Sequence, residues 1–271
     1  MSTPLRSAFV GLLVIAASTV AVTVSNSPVS ATGNVAPSAV TSSPSIGAQS
    51  VPIWTNTNVI AVDAGSKGTC AIQGANASAT SGVLYCWGYY AILGTGSESD
   101  SNVAVRVNSG TGFSNTAVTA VAVGDDFACA VEAGVVWCWG TGSSGKLGNG
   151  SSTTSFTPRK VWSNAVDGFD NDGASGDAVT DVDATYQRVC AIEGGQVFCW
   201  GNNSNTALGL GSNAAGEYNS PQRVADTATP EFQAASAIQL ALGFYGGCAV
   251  ASGTAYCWGL DGVRLGNPAP S

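Results

Sequence analysis

The chain has 271 residues, of which 45% are apolar and only 10% are charged, and it contains 35 glycines. The formal net charge is −8 and the nine Lys and Arg residues are spread thinly, which argues against a surface that neutralises nucleic-acid phosphates. Histidine does not occur, so the commonest general base and the usual Zn and Cu ligand are missing.

Residues 1–31 have the pattern of a secretory signal peptide. Arg6 precedes an apolar stretch of small residues, and Val29-Ser30-Ala31 provides small residues where cleavage would occur. The alternative is an N-terminal membrane anchor, since no charge occurs between Arg6 and Asp63, but the apolar core is short for a span of ~20 residues. Residues 32–49 are rich in Ser, Pro, Ala and Thr and predict a low-complexity linker. We therefore expect a secreted protein without a membrane span after signal cleavage.

Four copies of a short motif, aromatic-Cys-Trp-Gly, dominate the rest of the chain. The tryptophans of these copies are Trp87, Trp139, Trp200 and Trp258. Successive copies lie 52, 61 and 58 residues apart, which indicates an array of repeats. The repeats cover about 50–97, 103–151, 157–212 and 220–267, and a tail of residues 268–271 follows them.

Each repeat has two cysteines, and the register of a β-hairpin predicts that they pair within the repeat. If Cys129 lies opposite Cys138, Ala133-Gly134 becomes a two-residue turn with glycine second, and the third and fourth hairpins obtain similar tips. The first hairpin has a longer tip, from Gly74 to Gly82. The cysteines then occupy non-hydrogen-bonded sites, where Cα atoms ~4.5 Å apart suit a disulfide. The predicted bridges are Cys70–Cys86, Cys129–Cys138, Cys190–Cys199 and Cys248–Cys257.

Reduced thiols buried in a core are the alternative to these bridges, but a secreted chain favours the oxidised form.

Two further strands precede each hairpin. The nearer one is apolar, and the one before it is short and often begins with proline. Each repeat is thus expected to hold four strands. An alanine faces the aromatic residue of every motif, as in Ala130 opposite Trp137, so we expect the motif aromatics in the core. The Gly-rich loops after Trp-Gly, such as Leu147-Gly148-Asn149-Gly150, predict structural turns rather than phosphate cradles.

The order of these features resembles the regulator-of-chromosome-condensation repeat, in a Cys-bearing form similar to secreted bacterial relatives such as β-lactamase inhibitor protein II. The resemblance covers about residues 50–266. It implies an all-β fold, a β-propeller of four-stranded blades, usually seven, of which four are present here as an open arc or partial propeller. It also implies binding of other macromolecules, although family members differ in their tasks. The signal peptide and the acidic charge argue against nucleotide-exchange activity.

The loops between the apolar strand and the hairpin should share one rim, opposite the hairpin tips. Aromatic and charged residues on such loops are typical of protein recognition. The candidate partner-binding residues are Lys67, Asp126, Phe127, Tyr186, Arg188, Phe244 and Tyr245. The alternative explanation is that these residues only form ordinary turns and bind no partner. We expect a non-catalytic scaffold whose partner is a protein or a cell-surface macromolecule, with no cofactor.

An enzyme or glycan binder that uses carboxylates and aromatics of the rim is the alternative function. Nothing in the sequence brings two carboxylates together in a cleft, and serine has no histidine base. An acidic insert contains Asp170 and Asp172, which are weak candidates for a Ca²⁺ site, because their spacing differs from the EF-hand loop. No other metal site is predicted.

The number of blades determines whether the propeller closes into a ring. Blades shaped for a ring of about seven would leave four blades as an arc with an uncovered face at each end. The faces expected to be exposed carry Trp87 or Cys86 on the first blade and Trp258 or Cys257 on the last. We therefore expect either that the sequence is part of a longer chain or that the arcs associate with themselves through the end blades.

Overall fold

The computed structural model of the chain describes residues 54–108, 110, 112–163, 168–174, 176–211, 215–224 and 236–260. The predicted signal peptide, linker and tail lie outside these residues, as does the strand expected at 51–53. In the described part of the chain, no helix combines the length and the apolar character needed to cross a bilayer.

The described strands form four antiparallel blades, within which strands that are neighbours in sequence pair, and one bridge between Gly82 and Val118 joins the sheets of the first two blades. Blade 1 contains β1 (Val59–Ala64), β2 (Gly68–Gly74), β3 (Gly82–Gly88) and β4 (Ser101–Arg106). Blade 2 contains β5 (Val118–Val123), β6 (Phe127–Glu132), β7 (Val135–Gly140) and β8 (Ser155–Lys160). Blade 3 contains β9 (Val179–Thr185), β10 (Arg188–Glu193), β11 (Gln196–Asn202) and β12 (Glu217–Arg223). Blade 4 contains β13 (Ala237–Gly243), β14 (Gly246–Ala251) and β15 (Thr254–Gly259).

Short helical segments follow the third strand of the first three blades: α1 (Tyr90–Leu93) and two 3-10 turns (Ser143–Gly145 and Ser204–Thr206). The expected all-β propeller is confirmed, with four strands in blades 1 to 3 and three described strands in blade 4. The arrangement is a partial propeller, in which strand contacts among the described residues link blade 1 to blade 2, blade 2 to blade 3 and blade 3 to blade 4.

The blades begin one strand later than the sequence repeats. The prolines Pro158 and Pro221 lie in β8 and β12, and these strands pair with β7 and β11, which precede them in the chain. In the predicted repeats, each proline-bearing strand belongs instead to the same repeat as the hairpin that follows it. Periodicity gives the length of a repeat but not the point at which one sheet ends, and this point depends on which strands share hydrogen bonds. Proline is tolerated there because these strands form the outer edge of their blades.

The hairpin register is confirmed in all four blades. Each predicted cysteine pair forms a disulfide, with Cα atoms 4.0–4.1 Å apart, as a non-hydrogen-bonded site requires. The tip residues Ala133 and Gly134 have φ of 51° and 78°, so both central positions of this turn are left-handed. Ala130 lies opposite Trp137 as expected, and the equivalent pairs form in the other blades.

Neighbouring blades pack face to face. The disulfide face of one blade contacts the aromatic face of the next, so that Cys129 and Cys138 of blade 2 share a core with Phe198 and Trp200 of blade 3. Near the inner strands, Asp63 Oδ2 accepts a hydrogen bond of 2.6 Å from the Val123 amide of the next blade. The second strand of blades 2 and 3 is buried along its whole length, because blades cover it on both faces.

The tryptophans of the second, third and fourth motifs reach into the Gly-rich loop of the preceding blade. Trp139 Nε1 donates to the Ile92 carbonyl oxygen at 2.7 Å, and Trp200 Nε1 donates to the Lys146 carbonyl oxygen at 3.1 Å. The loop glycines Gly94, Gly148 and Gly209 share a left-handed φ of 64–69°, and each lies directly against the indole of the next blade. The prediction of structural turns is therefore confirmed for these three loops.

The connectors between blades contain a Phe-x-Asn pattern that was not recognised in the sequence. It occurs as Phe113-Ser114-Asn115 and as Phe169-Asp170-Asn171, in which both phenylalanines and both asparagines are fully buried. Asn171 Oδ1 accepts from the Val136 amide at 2.7 Å, and Nδ2 donates to the Val136 and Val161 carbonyl oxygens. Asn115 makes the same three bonds to blade 1. Each asparagine thus fixes the connector to the preceding blade.

A glutamate at the end of the second strand holds the other side of each connector. Glu132 accepts bonds from the Ser114 and Thr116 amides, and Glu193 accepts bonds from the Asp170 and Asn171 amides. Burial raises the pKa of Glu193 to about 7, and Asp170 and Asp177 nearby act in the same direction. Burial also acts to raise the pKa of Glu132, but the amide and hydroxyl donors around it outweigh burial, and its pKa lies below the ordinary value.

These two glutamates should affect stability in opposite pH ranges. The raised pKa of Glu193 gives a stabilising contribution that is complete below pH 4.5 and lost as the pH rises towards 7. The lowered pKa of Glu132 gives a contribution that is present above pH 4.5 and lost as the pH falls. We expect Glu193→Gln to flatten the loss of stability between pH 4.5 and 7, and Glu132→Gln to lower stability at neutral pH. Urea unfolding from pH 4 to 8 measures both, and identical pH profiles of the two variants would contradict the assignment.

The two outermost blade faces differ from the expectation. Cys86 is fully buried against blade 2, and Trp54 packs on Tyr85 and Trp87, with ring centroids 5.4 and 5.9 Å apart, so this aromatic pair is covered. On blade 4, Trp258 packs towards blade 3. Of the alternatives predicted for the end faces, Cys86 faces blade 2 and Trp87 lies on the outer side of blade 1 beneath Trp54. On blade 4, Cys257 and its partner Cys248 are half-buried on the outer side. Self-association through the end blades stays a prediction.

Candidate functional site

The loops between the first and second strands of the blades lie at one end of the propeller. They lie beside the ends of the third strands, since Gly68 pairs with Gly88 and Arg188 pairs with Gly201, and the hairpin tips lie at the other end. We call this surface the loop rim. Its loop residues are Ser66 and Lys67, Asp125 and Asp126, Tyr186 and Gln187, and Phe244 and Tyr245.

The half of the loop rim formed by blades 1 and 2 is charged but internally neutralised. Lys67 Nζ lies 3.0 Å from Asp125 Oδ2 and 3.9 Å from Asp126 Oδ2, and Lys146 Nζ lies 2.7 Å from Asp126 Oδ1. Ser66 Oγ donates a hydrogen bond to Asp125, and this bond together with Lys67 holds the pKa of Asp125 below its ordinary value. Asp125 in turn raises the pKa of Lys67. The two ammonium groups of Lys67 and Lys146 and the two carboxylates of Asp125 and Asp126 therefore give this half of the rim no net charge.

The half formed by blades 3 and 4 is aromatic. Tyr186, Phe244 and Tyr245 are 46%, 53% and 39% exposed. The ring of Phe244 lies 5.3 Å from the ring of Tyr186 and 4.8 Å from that of Tyr245, so the three form one contiguous surface. We call these three residues the aromatic cluster. Exposed, contiguous aromatic rings are typical of a surface that binds another molecule.

Hydrogen bonds between loops hold the aromatic cluster in place. Arg188 Nη1 donates to the Phe244 carbonyl oxygen at 2.5 Å, and its Nε donates to the Asn202 carbonyl oxygen at 2.7 Å. The Asp125 amide donates to the Tyr186 carbonyl oxygen at 3.4 Å, which links the charged half to the aromatic half. A surface ordered in advance loses less conformational entropy when it binds.

Two of the seven predicted contact residues do not lie on the surface. Phe127 is fully buried and packs beneath the Lys146 ammonium group, 5.6 Å from the ring centroid. Arg188 is 6% exposed, and burial lowers its pKa. The expectation that both side chains lie on the exposed rim is not met, because each opens the second strand of a central blade, which neighbours cover on both faces. The other five residues, Lys67, Asp126, Tyr186, Phe244 and Tyr245, lie together on the loop rim.

The acidic insert lies at the opposite end, beside the hairpin tip of blade 3. Its predicted pair, Asp170 and Asp172, is joined by Asp177, and carboxylate oxygens of the three exposed side chains lie within 4.8 Å of one another. Two of these carboxylates accept amide hydrogen bonds of their own loop, from Asp172 at 3.2 Å and from Ala174 at 2.6 Å. Exposed acidic groups of this kind are ordinary turn chemistry, so Ca²⁺ binding stays a prediction.

The described loop residues of the rim include one serine, Ser66. The Ser66 hydroxyl donates to a carboxylate that is already paired with Lys67, and histidine is absent from the sequence. A serine without a base that can take its proton is a poor nucleophile. What the described rim residues can do is present a rigid, neutral, partly apolar surface to another molecule.

A family model described as the regulator of chromosome condensation (RCC1) repeat matches residues 133–192 and 194–250. The human E3 ubiquitin-protein ligase HERC2 is 32% identical over 142 residues, which is 48% of this chain and 3% of HERC2, and the mouse protein gives the same values. The chain therefore spans only a small part of these relatives.

Solved structures show the same fold. The crystal structure of human WBSCR16 superposes with a TM-score of 0.56 at 19% identity, over 74% of this chain and 47% of that one. Yeast RCC1 (Prp20), crystallised with Kap60 bound, gives a TM-score of 0.56 at 15% identity, over 77% of this chain and 45% of that one. The chain thus corresponds to about half the length of these propellers.

Proposed function

Since this chain is a member of the regulator of chromosome condensation repeat family, we propose that it is a non-catalytic scaffold that binds another protein through the loop rim. The observation that carries this proposal is the aromatic cluster, three exposed rings in mutual contact at 5.3 and 4.8 Å. Truncation of a few central aromatic residues typically accounts for most of the loss of binding energy at protein interfaces.

The fold supports binding of a protein as the class of function. A propeller of the same fold is bound to Kap60 in the yeast crystal structure, and this binding is a property of that protein. In this chain the rim loops are the variable part of each blade, while the hairpins, disulfides and buried tryptophans recur. We further propose that the protein acts outside the cell. Four disulfides in a chain with a signal-like N-terminus support this location.

The test compares capture of partners by the wild-type protein and by a variant with Tyr186→Ala, Phe244→Ala and Tyr245→Ala. Proteins retained from the culture medium of the source are identified by mass spectrometry, and the affinity of each is then measured with purified components. We expect the triple variant to bind at least about 30-fold more weakly, as loss of about 2 kcal/mol at a central aromatic site implies. Its circular dichroism should match that of the wild type, because the three rings are exposed.

The matched control carries Val103→Ala and Ile238→Ala, two residues that are 59% and 70% exposed and lie in strands rather than in rim loops. This control should bind like the wild type. Equal binding by all three proteins would refute the proposed site. Binding of a glycan array, or turnover of a generic hydrolase substrate that requires one Asp or Glu, would instead support the rival function of a glycan binder or hydrolase.

A further inference from the structure

A small cavity opens beside the aromatic cluster on blade 4. Its volume is about 230 Å³, and its walls include Ala241, Phe244, Tyr245, Cys248, Trp258 and Leu260. Phe244 and Tyr245 belong to both the cavity wall and the aromatic cluster, so the cavity and the proposed binding surface are continuous.

The chemistry of the wall restricts what the cavity can hold. The described residues that line it contribute no carboxylate, ammonium or guanidinium group, so a charged occupant would lose hydration without gaining an ionic partner from them. Pockets for cofactors and drug-sized ligands hold about 300–1,000 Å³, so this space fits one large side chain better than a whole small molecule.

Local contacts keep the cavity formed. The Leu260 amide donates to the Tyr245 carbonyl oxygen at 2.8 Å, which fixes one wall to the rim loop. At the base, a Cβ on Gly247 would lie 2.6 Å from Leu242 and 2.8 Å from Trp258, so only glycine leaves room for this packing. Arg188 fixes the Phe244 side through its bond to the Phe244 carbonyl oxygen.

We propose that this cavity receives one uncharged, bulky apolar side chain of the protein partner, such as leucine, methionine or phenylalanine, as the anchor of the interface. This inference rests on the proposed function, because the anchor would be supplied by the protein that binds the loop rim. Anchors of this kind enter desolvated pockets near the centre of an interface, and the contacts around them exclude water.

The direct test uses N-acetyl-L-leucinamide as the probe and N-acetyl-L-lysinamide as its charged counterpart. We expect the leucine probe to cause saturable shifts of the Gly246, Gly247 and Leu260 amide signals in NMR spectra of the wild-type protein. Ala241→Leu should abolish these shifts, because Ala241 is an exposed wall residue whose larger replacement fills the cavity. Ala255→Leu is the matched control, since Ala255 is an exposed alanine of the same blade that does not line the cavity.

Equal shifts with the lysine probe, or shifts that persist in Ala241→Leu, would overturn the proposal. The same two variants separate it from the proposed function once a partner has been captured. We expect Ala241→Leu to weaken binding of that partner at least about tenfold and Ala255→Leu to leave it unchanged. If the triple aromatic variant loses the partner while Ala241→Leu retains full affinity, the loop rim is the binding surface and the cavity is not its anchor site.

Discussion

Replacing Gly148 with alanine is expected to cost about 3 kcal/mol or more of folding stability. Gly148 has a left-handed φ of 64°, which costs an L-residue about 1–2 kcal/mol. An added Cβ would also lie 2.6 Å from Nε1 of Trp200, a side chain that is completely buried. The indole would have to move and give up its hydrogen bond to the Lys146 carbonyl oxygen, which joins blades 2 and 3. Urea unfolding followed by tryptophan fluorescence measures the loss.

Gly253→Ala is the control for this substitution. Gly253 has a comparable φ of 79°, but nothing lies within 4 Å of the position that its Cβ would occupy. We expect this variant to lose only the backbone contribution, about 1–2 kcal/mol. If both variants lost the same stability, the packing of the indole on the glycine would not contribute, and the account of how blades are joined would be wrong.

Replacing Asn171 with alanine is expected to cost about 3–5 kcal/mol. The side chain makes three hydrogen bonds to backbone groups of blade 2, and it is fully buried. Its removal leaves the Val136 amide and the Val161 carbonyl oxygen buried, and each unsatisfied group costs about 1–3 kcal/mol. Thermal unfolding by calorimetry gives the difference directly.

Asn219→Ala removes an exposed amide and serves as the comparison. Asn219 Nδ2 donates one bond of 3.0 Å to the Gly150 carbonyl oxygen, a group that water can also reach. We expect a loss below about 1 kcal/mol. A loss as small for Asn171→Ala would show that water replaces its three bonds, and that the connector is not fixed in the way described.

The sequence by itself determined the structure within each hairpin. In three of the blades the two cysteines of a hairpin are nine residues apart and enclose a two-residue turn, so the spacing of Cys129 and Cys138 places Ala133 and Gly134 at the tip. The same counting placed Ala130 opposite Trp137. It also put the loops of Lys67, Asp126, Tyr186, Phe244 and Tyr245 at one end, since strand direction alternates in an antiparallel sheet.

Only the tertiary structure decided which side chains are covered. Phe127 and Tyr186 both belong to loop-rim positions in the sequence, yet one is fully buried and the other is 46% exposed. Their difference depends on packing against residues about 20 or 60 positions away, such as Lys146 and Phe244, and no local pattern encodes such contacts. The partners of Asn171 and Glu193, the cover that Trp54 gives Trp87 and the cavity beside Phe244 have the same origin. Each is fixed by how connectors and neighbouring blades pack in space, whereas the hairpin register is fixed by hydrogen bonds between residues close in sequence.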